Sequence, residues 1–200
     1  MNYGDRLKTS IPLLVAFCVL AFSTSSCLAA PDSESTEEDV LRYDTGYVTD
    51  ISTTSVLGTF AETVKFTPPS TPWTLTKVQM AGWNGFDNNT LPTEKLVGLE
   101  VRDQDLNLLY QFVDSQIPYF TDTRVTLANI EIPPLPVNGD FYVCFYDRGA
   151  VAVAYNSTSP SNESYFYNRF TGELSPAKVV VEEGTDPVPV NWLIRAVGHR

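Results

Sequence analysis

Histidine is almost missing from this chain of 200 residues, and the one present, His199, stands next to the C-terminus. Ser-His-Asp and Cys-His nucleophiles and His-ligated zinc all need an imidazole on a rigid element, whereas the last residues of a chain are normally frayed. Most hydrolytic mechanisms drop out on that ground. Cysteine is scarce as well: beyond the first thirty residues Cys144 is alone, so no disulfide framework can hold a domain together. Positive charge is the third shortage. The 13 Lys and Arg face 24 Asp and Glu, for a formal net charge of −11. Nucleic acid and anionic lipid both bind through Lys and Arg near phosphates, so this balance excludes nucleic acid as a partner and disfavours adhesion to a bare membrane surface. Helical spacing is lacking too. After the N-terminal segment no stretch repeats apolar residues at three and four over three turns.

What is present begins at the N-terminus. Arg6 and Lys8 precede an apolar run from Ile11 to Phe22, interrupted by Pro12, and small residues follow from Ser23 to Ala30. Basic, apolar and small, in that order, is a secretory signal, and an apolar run of about twelve residues falls short of the roughly twenty that a helix needs to cross a bilayer. The predicted organisation is a signal peptide over 1–30, an acidic tether over 31–40 and a single domain over 41–200, outside the cytoplasm. Two processing sites compete. Leu28-Ala29-Ala30 suits an ordinary signal peptidase, which releases a soluble chain. Thr24-Ser25-Ser26-Cys27 resembles a lipobox with Thr24 where Leu, Val or Ile is preferred; cleavage before Cys27 leaves that thiol for a lipid anchor, the one route to a membrane. The polar SESTEED run from Ser33 to Asp39 suits a chain held off a surface. Three N-glycosylation sequons, at Asn88, Asn156 and Asn162, fall in predicted turns, where a glycan is tolerated.

From Tyr43 onward short β-branched and aromatic runs alternate with Gly, Pro, Asn and Asp clusters. Strands are predicted near Gly46 to Ile51, Glu62 to Thr67, Trp73 to Trp83, Lys95 to Asp103, Asn107 to Asp114, Arg124 to Ile132 and Asp140 to Asp147. Further ones follow at Val151 to Tyr155, Ser164 to Phe170, Lys178 to Glu182 and Asn191 to Val197. Roughly ten strands without crossover helices make an all-β, antiparallel, jelly-roll-like β-sandwich. In Trp73 to Trp83 the apolar parity changes, from Trp73 and Leu75 to Val78 and Met80, which predicts an extra residue near Thr76-Lys77. In Phe141 to Tyr146 both parities are apolar, which predicts a central strand with a covered outer face. Asp103 to Asn107 reads as a hairpin turn. The proline clusters at Pro68 to Pro72, Pro133 to Pro136 and Pro187 to Pro189 read as stiff loops between strands.

The strings FTPPSTPWTLTKVQMAGW (Phe66 to Trp83), GDFYVCFYD (Gly139 to Asp147) and NWLIRAVG (Asn191 to Gly198) resemble an uncharacterised jelly-roll module that recurs in secreted and cell-surface proteins of archaea and bacteria, often beside peptidases or other extracellular domains. The resemblance implies the fold and a surface location; it carries over no functional residue, and here the module stands nearly alone behind a signal.

Little in the sequence carries chemistry. Cys144 lies in an apolar strand and reads as core filler with a raised pKa. Glycoside hydrolysis needs only two carboxylates at a fixed separation, and Glu100, Asp103, Asp114, Glu131, Asp140 and Asp147 are available without any pair standing out. Asp103, Asp105 and Asn107 imitate the start of a calcium loop, but Leu108 stands where glycine is required and Asp114 where glutamate is usual. This is not an EF-hand; a structural calcium held by turn carboxylates and carbonyls is the minor alternative, and no metal ligands or cofactor are assigned. The aromatics remain: Trp83, beside Asn84-Gly85-Phe86, and the pair Tyr165 and Tyr167 on one strand face are candidates for a sugar platform, against the plainer expectation that such rings cover a sandwich. The expected function is a non-enzymatic binding or adhesion module at the cell surface with a glycan or protein ligand; a small glycoside-active enzyme using paired carboxylates and a structural envelope protein are the alternatives.

Overall fold

The computed structural model describes residues 37–53, 58–86 and 92–200. The segment read as a signal, Cys27 and Asn88 lie outside the described residues. Fifteen strands and no helix occupy them: β1 (Asp39–Leu41), β2 (Asp50–Ser52), β3 (Phe60–Phe66), β4 (Trp73–Trp83), β5 (Leu96–Asp103), β6 (Leu108–Ser115), β7 (Thr126–Val137) and β8 (Phe141–Tyr146). The series continues with β9 (Ala152–Asn156), β10 (Ser164–Asn168), β11 (Glu173–Pro176), β12 (Lys178–Val179), β13 (Val188–Pro189), β14 (Asn191–Trp192) and β15 (Ile194–His199). The described residues are thus all-β. Strands beyond the ten or so expected are pieces of two to four residues, created by pairing and not by local propensity. The first of them, β1, begins within the segment read as a tether and lies along β15.

Two antiparallel sheets make the sandwich. One runs β11-β10-β3-β8-β5-β6; the other runs β1-β15-β4-β9-β14, with β7 added to β4 and β2 to β9. The core between them is built from alternate residues of each strand: Val64 and Phe66, Val97, Leu99 and Val101, and Phe141, Val143 and Phe145 from one sheet meet Trp73, Leu75, Val78, Met80, Ile130, Val153 and Ile194 from the other. A row of rings crosses this core. Tyr43, Phe66, Phe141 and Trp73 follow one another at centroid separations of 5.8, 5.6 and 5.9 Å, within the range where offset aromatic pairs attract.

The parity change in β4 is resolved as a bulge. Leu75 pairs with Gly198 and Lys77 with Val197, leaving Thr76 as the extra residue, its hydroxyl donating to the Val197 carbonyl at 3.2 Å. That one residue keeps Trp73, Leu75, Val78 and Met80 all in the core. Gly198 is required opposite, because a Cβ there would come within 2.7 Å of the Trp73 ring.

Two sequence expectations are corrected here. Pro133, Pro134 and Pro136 are not in a loop: they belong to β7, which pairs only with β4 and so lies at a sheet edge, where a residue without an N–H costs no ladder bond. Their crowding shows in the register, where Ile132, Pro133 and Pro134 together oppose Thr76. His199 is not frayed either, since it pairs with Thr74 as the last residue of β15.

Candidate functional site

The pleat that turns Phe141, Val143 and Phe145 into the core turns Tyr142, Cys144 and Tyr146 outward, and β8 is central in its sheet, between β3 and β5. Its outer face is covered by a polar layer. Glu100 of β5, 3% exposed, accepts from Nε and Nη2 of Arg102 at 2.9 and 2.7 Å and from the Tyr146 hydroxyl at 3.0 Å, while Nη2 of Arg169 stands 3.4 Å from its other oxygen. Each guanidinium also lies over a ring, Arg102 4.8 Å from the centroid of Tyr167 and Arg169 5.0 Å from that of Tyr146. The pairing of one carboxylate with two stacked arginines lets a charge stay buried on an outer face. Beneath this layer Cys144 is fully buried, and burial pushes its thiol up to about 12, which makes it a hydrophobe and not a nucleophile.

This layer corrects the aromatic expectation. Tyr167 is 3% exposed beneath Arg102 and has no ring face to offer a sugar. Tyr165, two residues away on the same face, is half-buried and meets Tyr142 edge-on at 6.3 Å and 70°. Trp83 ends β4 in the opposite sheet, half-buried, with its indole N–H donating to the Phe86 carbonyl at 3.2 Å. The three rings therefore do not share a surface.

The sequons separate in the same way. Asn156 ends β9, is 1% exposed, and donates its side-chain amide to the Tyr47 carbonyl at 3.1 Å. The nitrogen that would carry a glycan is committed inside the fold, so Asn156 is no glycosylation site of the folded domain. Asn162 is exposed in the turn before β10, with φ of +67°.

Of the six carboxylates considered, Glu100 is neutralised as described, Asp114 accepts the Tyr119 hydroxyl at 2.9 Å, Glu131 faces Lys77 at 3.5 Å, and Asp147 accepts the Gly149 amide at 3.0 Å. Only Asp103 and Asp140 line one cleft, which sequence reading did not find. It lies where the β5–β6 turn meets the β7–β8 turn, has a volume of about 220 Å³, and is lined by Asp103, Gln104, Asp105, Leu109, the Pro136–Asn138 segment, Gly139, Asp140 and Phe141.

Both walls of the cleft are fixed by their own side chains. Asp103 accepts the backbone amides of Asp105 and Asn107 at 2.9 and 2.8 Å and the Asn107 side-chain amide at 2.9 Å, and these bonds hold its carboxyl below the usual carboxylate range. Across the cleft Asp140 joins Lys65 at 2.6 Å and accepts the Thr67 hydroxyl at 2.8 Å, which lowers its carboxyl as well. Gly139, at φ +147°, brings the β7–β8 turn alongside Gln104. Between the walls stand the side chains of Gln104, Asp105 and Asn138, for which the described residues provide no hydrogen-bond partner. Two pinned turns thus present uncommitted polar groups beside the apolar side chains of Leu109 and Pro136. The signal for this in the sequence was the hairpin at Asp103 to Asn107; that a turn from another pair of strands would face it was not encoded locally. Among the described residues no three His, Cys, Asp or Glu side chains converge as metal ligands.

The chain matches no protein-family model, and no curated protein matches it.

Proposed function

We propose that this domain is a non-enzymatic extracellular binding module of the cell surface, and that its end cleft takes one sugar residue of a larger glycan. The observation that carries the reading is the pairing of rigid walls with free polar side chains: Asp103 and Lys65–Asp140 fix the turns, and Gln104, Asp105 and Asn138 remain for a ligand. Carboxylate and amide groups accept from and donate to hydroxyls, and Leu109 and Pro136 can cover C–H surface, a mixture suited to a hydroxyl-rich ligand. At about 220 Å³ the cleft falls below the roughly 300–1,000 Å³ of pockets that enclose whole drug-sized ligands, so it suits a terminal residue and not a whole oligosaccharide. The export signal and the resemblance to a surface-borne module support the location.

The enzymatic alternative rests on Asp103 and Asp140 sharing the cleft. A glycosidase acid must hold its proton near neutral pH, which requires one carboxyl of the pair to be raised, whereas both are lowered here by hydrogen bonds to their neighbours. The arrangement favours binding over hydrolysis. Screening the purified protein against a glycan array, then repeating any hit with an Asp105→Ala/Asn138→Ala variant, tests the reading. Expected is binding that the double substitution abolishes without change in thermal stability. Binding indifferent to the substitutions, or no binding to any glycan, overturns the site, and hydrolysis of a bound glycan that Asp140→Asn removes would return the enzymatic reading.

A further inference from the structure

On the outer face of the six-stranded sheet, Gly98 of β5 is paired with Val113 of β6 on one side and Tyr146 of β8 on the other. Where it lacks a side chain the face has a hollow of about 30 Å³, bordered by Gln111, Val113, Tyr146, Arg148 and Arg169. Arg148 is held there against its backbone preference. It stands at φ +51° with Gly149 after it at +67°, a left-handed region that Asn, Asp or Gly normally fill. The turn is pinned: Asp147 accepts the Ala150 amide on its carbonyl at 2.8 Å and the Gly149 amide on Oδ1 at 3.0 Å. The arginine stem crosses Gly58, where a Cβ would come within 3.1 Å of its Cγ. The carbonyl of the next residue, Thr59, accepts the Arg169 amide at 3.0 Å, so one short segment positions both arginines. Their charge is little used. Although 24 Asp and Glu face 13 Lys and Arg in the chain, the Arg148 guanidinium makes no ion pair or hydrogen bond among the described residues. Arg169 gives Glu100 a single contact at 3.4 Å, and Glu100 is already neutralised by Arg102 and the Tyr146 hydroxyl. Most donors of two guanidinium forks are therefore unspent beside the hollow.

We propose that this hollow is a second glycan subsite, which takes the carboxylate of an acidic sugar, a uronic acid residue, between Arg148 and Arg169. Backbone strain kept at an exposed residue without a partner points to a ligand and not to stability. Size selects the head group. About 30 Å³ has room for about two water-sized atoms, which fits the two oxygens of a carboxylate and is tight for the three terminal oxygens of a sulfate or phosphate. Planar guanidinium forks match a carboxylate, and a net charge of −11 repels densely charged polyanions more than an isolated acid. The carrier is read from the rim: the exposed Gln111 amide suits a hydroxyl, and Val113, 49% exposed, covers C–H surface. The choice of a sugar as carrier rests on the glycan-binding reading above; the carboxylate site rests on the arginines and the hollow alone.

Nuclear magnetic resonance titration of the labelled protein with glucuronate, and separately with glucose, acetate and sulfate, tests this. Expected are shifts of the Gly98, Gln111 and Val113 amides with glucuronate, none with glucose, and weaker binding of acetate and sulfate at the same amides. Arg148→Asn should weaken glucuronate by at least about tenfold, the loss of a charge-assisted hydrogen bond, and leave thermal stability unchanged or higher because Asn suits the positive φ. An arginine retained for structure would instead lose stability on that change. Gly98→Ala places a Cβ at an ordinary 3.5 Å from the Tyr146 ring, so it fills the hollow without strain and should also abolish binding. Amides indifferent to glucuronate, or binding that survives both Arg148→Asn and Gly98→Ala, overturns the proposal. Sulfate or acetate bound as tightly as glucuronate overturns the acidic sugar as the ligand. The Asp105→Ala/Asn138→Ala variant keeps the two sites apart. Glucuronate binding retained in that variant upholds this subsite whatever becomes of the cleft, whereas a neutral glycan bound at the cleft with no glucuronate shift at Gly98 refutes this subsite alone.

Discussion

Asp44 and Arg195, separated by 151 residues in sequence, meet in a two-pronged bridge: Nε and Nη2 of Arg195 donate to the two carboxylate oxygens at 2.9 and 2.7 Å. The Asp44 side chain is fully buried, and Oδ1 also accepts the Gly46 amide at 2.8 Å, so one carboxylate shapes the turn after β1 and fastens it to β15. Removing one partner leaves the other buried and unpaired, at a cost of roughly 3 kcal/mol. Arg195→Ala should therefore lower the thermal midpoint by roughly 6–12 °C for a domain of this size. Arg195→Lys keeps the charge and loses the fork, and its loss should be about a third as large. Equal losses in the two variants, measured by calorimetry, would show that the fork geometry is irrelevant.

Glu100 gives the second prediction. Glu100→Ala strands Arg102, which is 14% exposed, while Arg169, 42% exposed, keeps partial access to water, so the expected loss is at the low end of the range for a broken buried pair, about 3 kcal/mol. The cost should be non-additive. A Glu100→Leu/Arg102→Leu variant removes both charges and should recover most of the stability, as read from urea midpoints at constant m. A double variant as unstable as the sum of its singles would show that the two side chains contribute independently. With Arg102 gone, the Tyr167 ring beneath it should also become accessible to quenchers of tyrosine fluorescence.

Thr76 separates register from chemistry. Thr76→Ala keeps the residue count and loses one hydroxyl bond to Val197, an expected cost of about 1 kcal/mol. Deleting Thr76 forces one half of β4 to reverse its faces, turning either Trp73 and Leu75 or Val78 and Met80 out of the core. The deletion should abolish folding, with loss of near-ultraviolet circular dichroism. A folded deletion variant would mean that the bulge does not set the register of β4.

The β4 example also shows which parts of the molecule were legible beforehand. Its limits, its bulge and the central place of β8 all follow from which residues alternate along a single strand, and that information is local. The prolines of β7 misled because proline excludes only a strand paired on both sides, and whether a neighbour exists is decided elsewhere in the chain. Tyr167 was misplaced for the same reason: the guanidinium over its ring comes from Arg102, on a strand elsewhere in the same sheet. Asn156 carries a sequon but spends its amide on Tyr47. The cleft needed two turns from different strand pairs to face each other, and of these only the Asp103–Asn107 hairpin announced itself in the sequence.

The ion pair at the cleft makes the last prediction, one of pH. The Lys65 hydrogen bond, with that of Thr67, lowers the Asp140 carboxyl below its ordinary 3.8, and the same bond to Asp140 raises the Lys65 ammonium above its ordinary 10.5. For Asp140, a depressed folded value means stabilisation that is complete above 3.8 and lost as pH falls through the folded pKa. For Lys65, a raised folded value means stabilisation that is complete below 10.5 and lost as pH rises through the folded pKa. Stability from the pair is thus a plateau between those limits, and for two partly exposed groups its height should not exceed about 1 kcal/mol. Asp140→Asn should lower the plateau and shrink the acid limb, leaving the part due to Asp103, whose carboxyl is also depressed. Lys65→Met should lower the plateau and remove the pair's alkaline limb. Urea midpoints measured from pH 2 to 12 check both limbs, and an acid limb unchanged in Asp140→Asn would show that the pair does not stabilise the fold. Because Asp140 is one wall of the cleft, the glycan binding proposed for that cleft should weaken in wild type as pH falls through the lowered folded pKa of Asp140.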